Sequence, residues 1–154
     1  MTKFTPVQAA SVHTSELDLV VPFTTPELTR VALDEANRMG KGLNATVRLV
    51  KVQVVPYPLE LNQTPVHIDF LRSQLVRFHS ELPAAGEVCL AREFQAGLAG
   101  TLGPDSVVIL TSGKRLWRTR NQRLAASLGR AGHQVVLVST DGKPREGKAE
   151  AQNV

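Results

Sequence analysis

Apolar and polar positions follow two alternating rhythms along this chain. Short, nearly continuous apolar runs rich in β-branched residues take turns with longer stretches in which apolar residues recur every three or four positions. The first run, residues 17–22, predicts a buried strand, because it is almost wholly apolar and Pro22 closes it. Thr25 and Pro26 then predict a helix start. A threonine hydroxyl can cap the first turn, and proline at the first helical position gives up an N–H that would have no partner within the helix. Leu28, Val31, Ala32, Ala36 and Met39 continue at helical spacing, and Gly40 and Gly42 predict the stop. Residues 45–55 predict a long strand, with Val47, Leu49, Val52 and Val54 set among Arg48, Lys51 and Gln53 and Pro56 at its end.

Pro56, Pro58 and Pro65 frame a loop. Thr64 and Pro65 announce a second helix, in which Ile68, Leu71, Leu75, Phe78 and Leu82 share one face before Pro83. Residues 87–91 predict a third strand, and 93–102 a short helix with Phe94 and Leu98 inward, interrupted by the poor helix formers Gly97 and Gly100. A strand over 106–110, a helix over 118–131 with Leu124 and Leu128 buried, and a strand over 134–138 complete the series. The segments 1–16 and 140–154 lack this periodicity and predict a flexible start and a disordered tail around one domain, 17–139. Five strands alternating with four helices predict an α/β fold: an open five-stranded parallel sheet with helices on both faces, Rossmann-like, joined by right-handed crossovers. Ligands of such sheets lie beyond the carboxyl ends of the strands where the strand order switches, so the loops after Val21 and Leu110 are the places for chemistry.

Composition narrows the class. With 42% hydrophobic and 21% charged residues over 154 positions, the chain has the balance of a globular domain. No stretch approaches the roughly 20 apolar residues of a membrane span. The first residues lack the apolar core of a secretory signal, so a cytoplasmic location is expected. Cys89 is the only cysteine, which excludes an internal disulfide and a cysteine-based zinc site. His67 and His79 stand twelve residues apart, not the three or four that align ligands on adjacent helical turns, and no metal site is expected. No Ser, His and Asp set converges, so no catalytic residue is assigned.

The net charge of +4 is localised. Lys114, Arg115, Arg118, Arg120, Arg123 and Arg130 crowd into one segment behind Ser112 and Gly113, a pair that reads as the start of a phosphate turn. Two readings follow. The arginines form the solvated face of the last helix, or Lys114, Arg115, Arg118, Arg120 and Arg123 meet an anion through charge and forked hydrogen bonds. Trp117 among them is either a base-stacking ring or a packing anchor. Nucleic-acid binding through this helix is a weaker alternative, since aromatic interleaving and a helix-turn-helix are missing.

Leu19-Val20-Val21-Pro22, Ala32-Leu33-Asp34-Glu35-Ala36, Leu49-Val50-Lys51-Val52, Val107-Val108-Ile109-Leu110 and Val135-Val136-Leu137-Val138 stand in an order and spacing that resemble the universal stress protein family over about residues 17–139. The resemblance implies a five-stranded parallel sheet of the adenine nucleotide alpha hydrolase-like kind, homodimerisation, a role in stress response without catalysis, and in some members ATP bound at the strand ends. ATP-binding members carry an acidic residue after the first strand, where Thr24 stands here. They also carry Gly, two residues, Gly, nine residues, Gly, then Ser or Thr. Counted from Gly113, the later places fall on Leu116, Ala126 and Ser127; counted from the last strand, the third glycine falls near Asn121 and the loop is shorter. Both registers break the motif, which argues against conventional ATP binding, so no cofactor is assigned. The resemblance leaves Thr24, Ser112, Gly113 and Ser127 as anion candidates and main-chain groups near Val50 and Val52 as candidates for a base. Val135, Val136, Leu137 and Val138, on an expected edge strand, are candidates for a dimer contact.

Overall fold

The computed structural model describes residues 16–63, 66–81, 84–112 and 115–139, with only the backbone for 79–81 and 115–119. Strands and helices alternate along it: β1 (Asp18–Pro22), α1 (Pro26–Leu43), β2 (Thr46–Val54), α2 (Ile68–Glu81), β3 (Ala85–Ala91), α3 (Phe94–Gly100), β4 (Ser106–Ser112), α4 (Arg115–Arg130) and β5 (Gln134–Ser139). The strands form one five-stranded sheet in the order β3-β2-β1-β4-β5, and every pairing is parallel. The expected α/β architecture is therefore the observed one. The expected flexible start and disordered tail, apart from Glu16, concern residues outside those described.

Strand alternation divides the core in two. Leu19, Val21, Leu49, Val107 and Ile109 face Ala32, Leu33 and Ala36 of α1 and Leu75 and Phe78 of α2. Their neighbours Val20, Val50, Val52, Val108 and Leu110 face Leu98 of α3 and Leu128 of α4. Successive residues of a strand point to opposite faces, so a sheet covered on both sides needs apolar residues at consecutive positions. This is why β1 and β4 read as continuous runs.

Several element ends depart from expectation. Gly40 and Gly42 lie within α1, and the helix stops at Asn44, whose φ of 52° and ψ of 46° are left-handed. Asparagine tolerates that conformation better than most residues with a side chain, and the N–H groups of Asn44 and Ala45 close onto the Gly40 carbonyl. Helix α3 ends at Gly100, short of the expected residue 102. Gly97 has a packing reason to be there: a Cβ would stand 2.6 Å from the Ala91 Cβ and 2.9 Å from the Val52 Cγ1, so only glycine lets α3 lie this close to β2 and β3. Strands β3, β4 and β5 each extend beyond the apolar runs that announced them, and α4 begins at Arg115, not at 118. Only residues 113 and 114 separate β4 from α4.

The amino end of the sheet is locked by one arginine. Arg48 donates from Nε and Nη2 to the two Asp18 carboxylate oxygens (3.0 and 2.8 Å), from Nη1 to Glu87 (2.9 Å) and from Nη2 to the Thr101 carbonyl (2.7 Å). Ser106 Oγ adds a 2.7 Å bond to Asp18 and accepts from the Gly103 N–H. One guanidinium thus joins β1, β2, β3 and the end of α3, using the fork geometry that lysine lacks. Burial alone would raise the Asp18 carboxyl, but the hydrogen bonds from Arg48 and Ser106 and the Arg48 charge hold it below its ordinary value. Among the described residues no helix is long and apolar enough to cross a membrane.

Candidate functional site

Strand order sets the site. From β1 the chain builds outward through β2 to β3, then returns past β1 to lay down β4 and β5. The β1–β4 register runs only from Asp18↔Ser106 to Val20↔Val108, whereas β4 stays paired with β5 as far as Ser112↔Ser139. Beyond Val20 the neighbours β1 and β4 part company, and the crevice of a switch point opens at their carboxyl ends. A cavity of about 460 Å³ lies there, within the usual range for small-ligand pockets.

Its walls come from four elements. Phe23, Thr24, Thr25 and Leu28 approach from the β1–α1 turn, Lys51 and Val52 from β2, and Phe94 and Gln95 from the start of α3. Arg120, Asn121, Arg123, Leu124 and Ser127 project from α4, where spacings of three and four place them along one stripe. Side-chain hydrogen bonds pin these walls to the sheet. The Thr24 N–H donates to the buried Thr29 Oγ1 (3.0 Å), and Thr25 Oγ1 caps α1 by accepting from the Leu28 N–H (3.3 Å). The buried Thr111 hydroxyl ties β4 to the Leu28 carbonyl (2.8 Å), and buried Asn121 donates to the Thr111 carbonyl. A wall held at both ends in this way is preorganised, which lowers the ordering cost of binding.

The lining is amphipathic. Leu28, Val52, Phe94 and Leu124 supply apolar surface; Arg120 and Arg123 are exposed cations without a carboxylate partner among the described residues. Lys51, half-buried, alternates away from Val52 and sets its Nζ 4.6 Å from the Phe23 ring centroid, a cation–π contact. Burial pushes its ammonium below the usual lysine value. Among the described residues, no carboxylate, imidazole or thiol lines the cavity. Nor does any cluster of three or more His, Cys, Asp or Glu stand where it could hold a metal ion.

Five of the residues expected to meet a ligand line this cavity: Thr24, Val52, Arg120, Arg123 and Ser127. Val50 lies in the core and its carbonyl accepts from the Phe23 N–H (2.7 Å), so that group already belongs to the sheet. Val52 lies past the end of β1, which stops opposite Val50. Ser112 is buried and its Oγ turns to the Val138 carbonyl at 3.5 Å. Gly113 and Lys114 lie outside the described residues; Arg115 and Arg118 occupy the first turns of α4, with their side chains and that of Trp117 likewise outside. Val135 to Val138 form the edge strand β5 as expected, with Val136 and Val138 packed toward α1 and Val135 and Leu137 toward α4.

The two registers of the glycine motif now have a physical outcome. Asn121, Ala126 and Ser127 all lie inside α4, where backbone N–H groups are committed to the helix. After β4 the chain enters a helix almost at once. Lys51 and Asn121 escaped sequence reasoning as site residues. Each had a signal: Lys51 is a lone cation between Val50 and Val52 in a buried strand, and Asn121 is a polar residue on the same inward stripe as Leu124 and Leu128. No family model matches this chain, and no curated protein is significantly similar to it.

Proposed function

We propose that the protein is a non-enzymatic, universal stress protein-like module that binds an anionic, nucleotide-like ligand at the switch point and works as a homodimer. The observation that carries the reading is the lining of the cavity: two arginines and a lysine, hydroxyls and amides, an apolar wall, and no carboxylate among the described residues. The apolar wall of Leu28, Val52, Phe94 and Leu124 suits a planar base, and Arg120 and Arg123 suit a phosphate through charge-assisted forked hydrogen bonds. Absence of catalysis is supported by the kind of groups present. Hydroxyls and guanidinium groups do not by themselves make a general base or an activated nucleophile, and the one amine of the described lining, Lys51, holds its Nζ against the Phe23 ring. The stress-response role rests on the family resemblance alone.

Calorimetric titration with ATP, ADP and AMP tests the ligand. One nucleotide per chain is expected to bind, and Arg120→Ala with Arg123→Ala should weaken it about tenfold or more, since hydrogen bonds to charged groups contribute roughly 1.5–3 kcal/mol. Turnover of ATP, or an affinity unchanged in the double variant, would overturn the reading. The dimer is supported by β5, a terminal strand of the sheet, the kind of edge along which a second copy can pair. Sedimentation equilibrium should find the dimer, and a monomer at every concentration removes that part of the proposal.

A further inference from the structure

Resting on that anion reading, we infer that the cavity takes its ligand without a metal ion, and that its natural ligand is a phosphate monoester on an aromatic body, not a magnesium-bound triphosphate. Magnesium demands an octahedron of oxygens, and proteins that hold it beside a polyphosphate usually add one or two carboxylates. This cavity offers none. Between Asp105 and Asp141 the sequence has neither Asp nor Glu, so β4, α4, β5 and the short β4–α4 connection supply no carboxylate from any position. Glu27 and Glu93, next in sequence to lining residues, are exposed and line no part of it.

The same stretch carries Lys114, Arg115, Arg118, Arg120, Arg123 and Arg130, all of one sign. Of these, Arg120 and Arg123 line the cavity, and cations there repel a metal ion but not bare phosphate oxygens. Only two residues separate β4 from α4, whereas a phosphate loop brings several successive backbone N–H groups to its anion. Recognition therefore falls to the α4 side chains, at one charged end of the ligand, with the aromatic body against Phe94 and Leu124. Where magnesium is abundant it occupies triphosphates and leaves monoesters largely free, so the charge pattern selects the monoester.

The test is a set of titrations of the full chain with AMP and ATP, each in EDTA and in excess Mg²⁺. The AMP affinity is expected to be the same in both, while Mg²⁺ should lower the ATP affinity by on the order of tenfold, because it cancels charge that the arginines use. With Mg²⁺ present, AMP should bind at least as tightly as ATP. Thr24→Asp, which puts a carboxylate into the cavity wall, should shift the preference toward Mg²⁺-ATP and weaken AMP. Magnesium that strengthens ATP binding to the unaltered protein overturns this inference and leaves the anion reading intact. Failure of both nucleotides to bind in either buffer overturns the anion reading, and this inference with it.

Discussion

The two ends of the sheet treat positive charge in opposite ways. At the amino end Arg48 is about a quarter exposed and satisfies two carboxylates and a carbonyl, so its charge is spent within the fold. At the carboxyl end Lys51, Arg120 and Arg123 line a cavity that has no carboxylate among the described residues. A cation that has found its partners holds elements together, and one that has not is available to something outside the chain. The chain had acids to spare, with 14 Asp and Glu in all, yet places none between Asp105 and Asp141. Basic charge as a total said little about this protein; its pairing state separates the amino end of the sheet from the end that holds the cavity.

The largest expected effect lies at the amino end. Arg48→Ala should cost about 3 kcal/mol of stability, because it strands Asp18 and the Thr101 carbonyl in a half-buried place. Urea unfolding at constant slope measures it. If that variant does not fold, Arg48→Lys keeps the charge, loses the fork and should cost about half as much. The pH dependence carries the same logic. Asp18 titrates below its ordinary value in the folded chain, so its contribution is complete above the unfolded carboxyl pKa of about 3.9 and fades as pH falls through the lower folded value. Without Arg48, burial pushes the carboxyl up, and the acid limb of stability should begin at higher pH. A loss below about 0.5 kcal/mol, with an unmoved acid limb, would erase the contrast between the two ends.

The carboxyl end should behave in reverse. Arg120→Ala with Arg123→Ala, the pair expected to weaken ligand binding about tenfold, should leave stability within about 0.5 kcal/mol, as exposed positions without partners generally do. A double variant that lost more than about 1 kcal/mol would show these arginines to be structural after all, and the unpaired charge would no longer mark a site.

How much of this was legible beforehand follows from the physics of each feature. The α/β alternation was, because buried parallel strands and amphipathic helices write different periods. The general rule for such sheets pointed to the loops after Val21 and Leu110, and of these the loop after Val21 supplies Phe23, Thr24 and Thr25 to the cavity. The end of α1 was misread because glycine is the usual left-handed residue, and here Asn44 takes that conformation while Gly40 and Gly42 stay helical. The start of α4 was misread because Arg115 to Trp117 precede the apolar stripe of Leu124 and Leu128, so periodicity does not announce them. That error mattered most. It left room in the sequence for a loop that the structure fills with helix. Lys51 was hidden because a lysine in a strand reads as a solvent-facing position, and only the early end of β1 shows that it borders a cavity.

Ser127 is the finest test of the comparison and should show the smallest effect. It is the one hydroxyl that matches the phosphate motif when the count begins at Gly113, and it does line the cavity. Its surroundings are not those of a phosphate loop, however. It stands in the last turn of α4, its backbone N–H belongs to the helix, and its Oγ accepts a long hydrogen bond (3.3 Å) from Arg130. An exposed bond of that kind contributes only a few tenths of a kcal/mol. If ligand recognition has passed from loop backbone to arginine side chains, Ser127→Ala should change stability by less than about 0.5 kcal/mol and nucleotide affinity by less than about twofold, against the tenfold of the arginine pair. A tenfold loss from Ser127→Ala alone, in the same titration, would mean that the hydroxyl still holds phosphate directly, and that the unpaired cations are not what defines this end of the sheet.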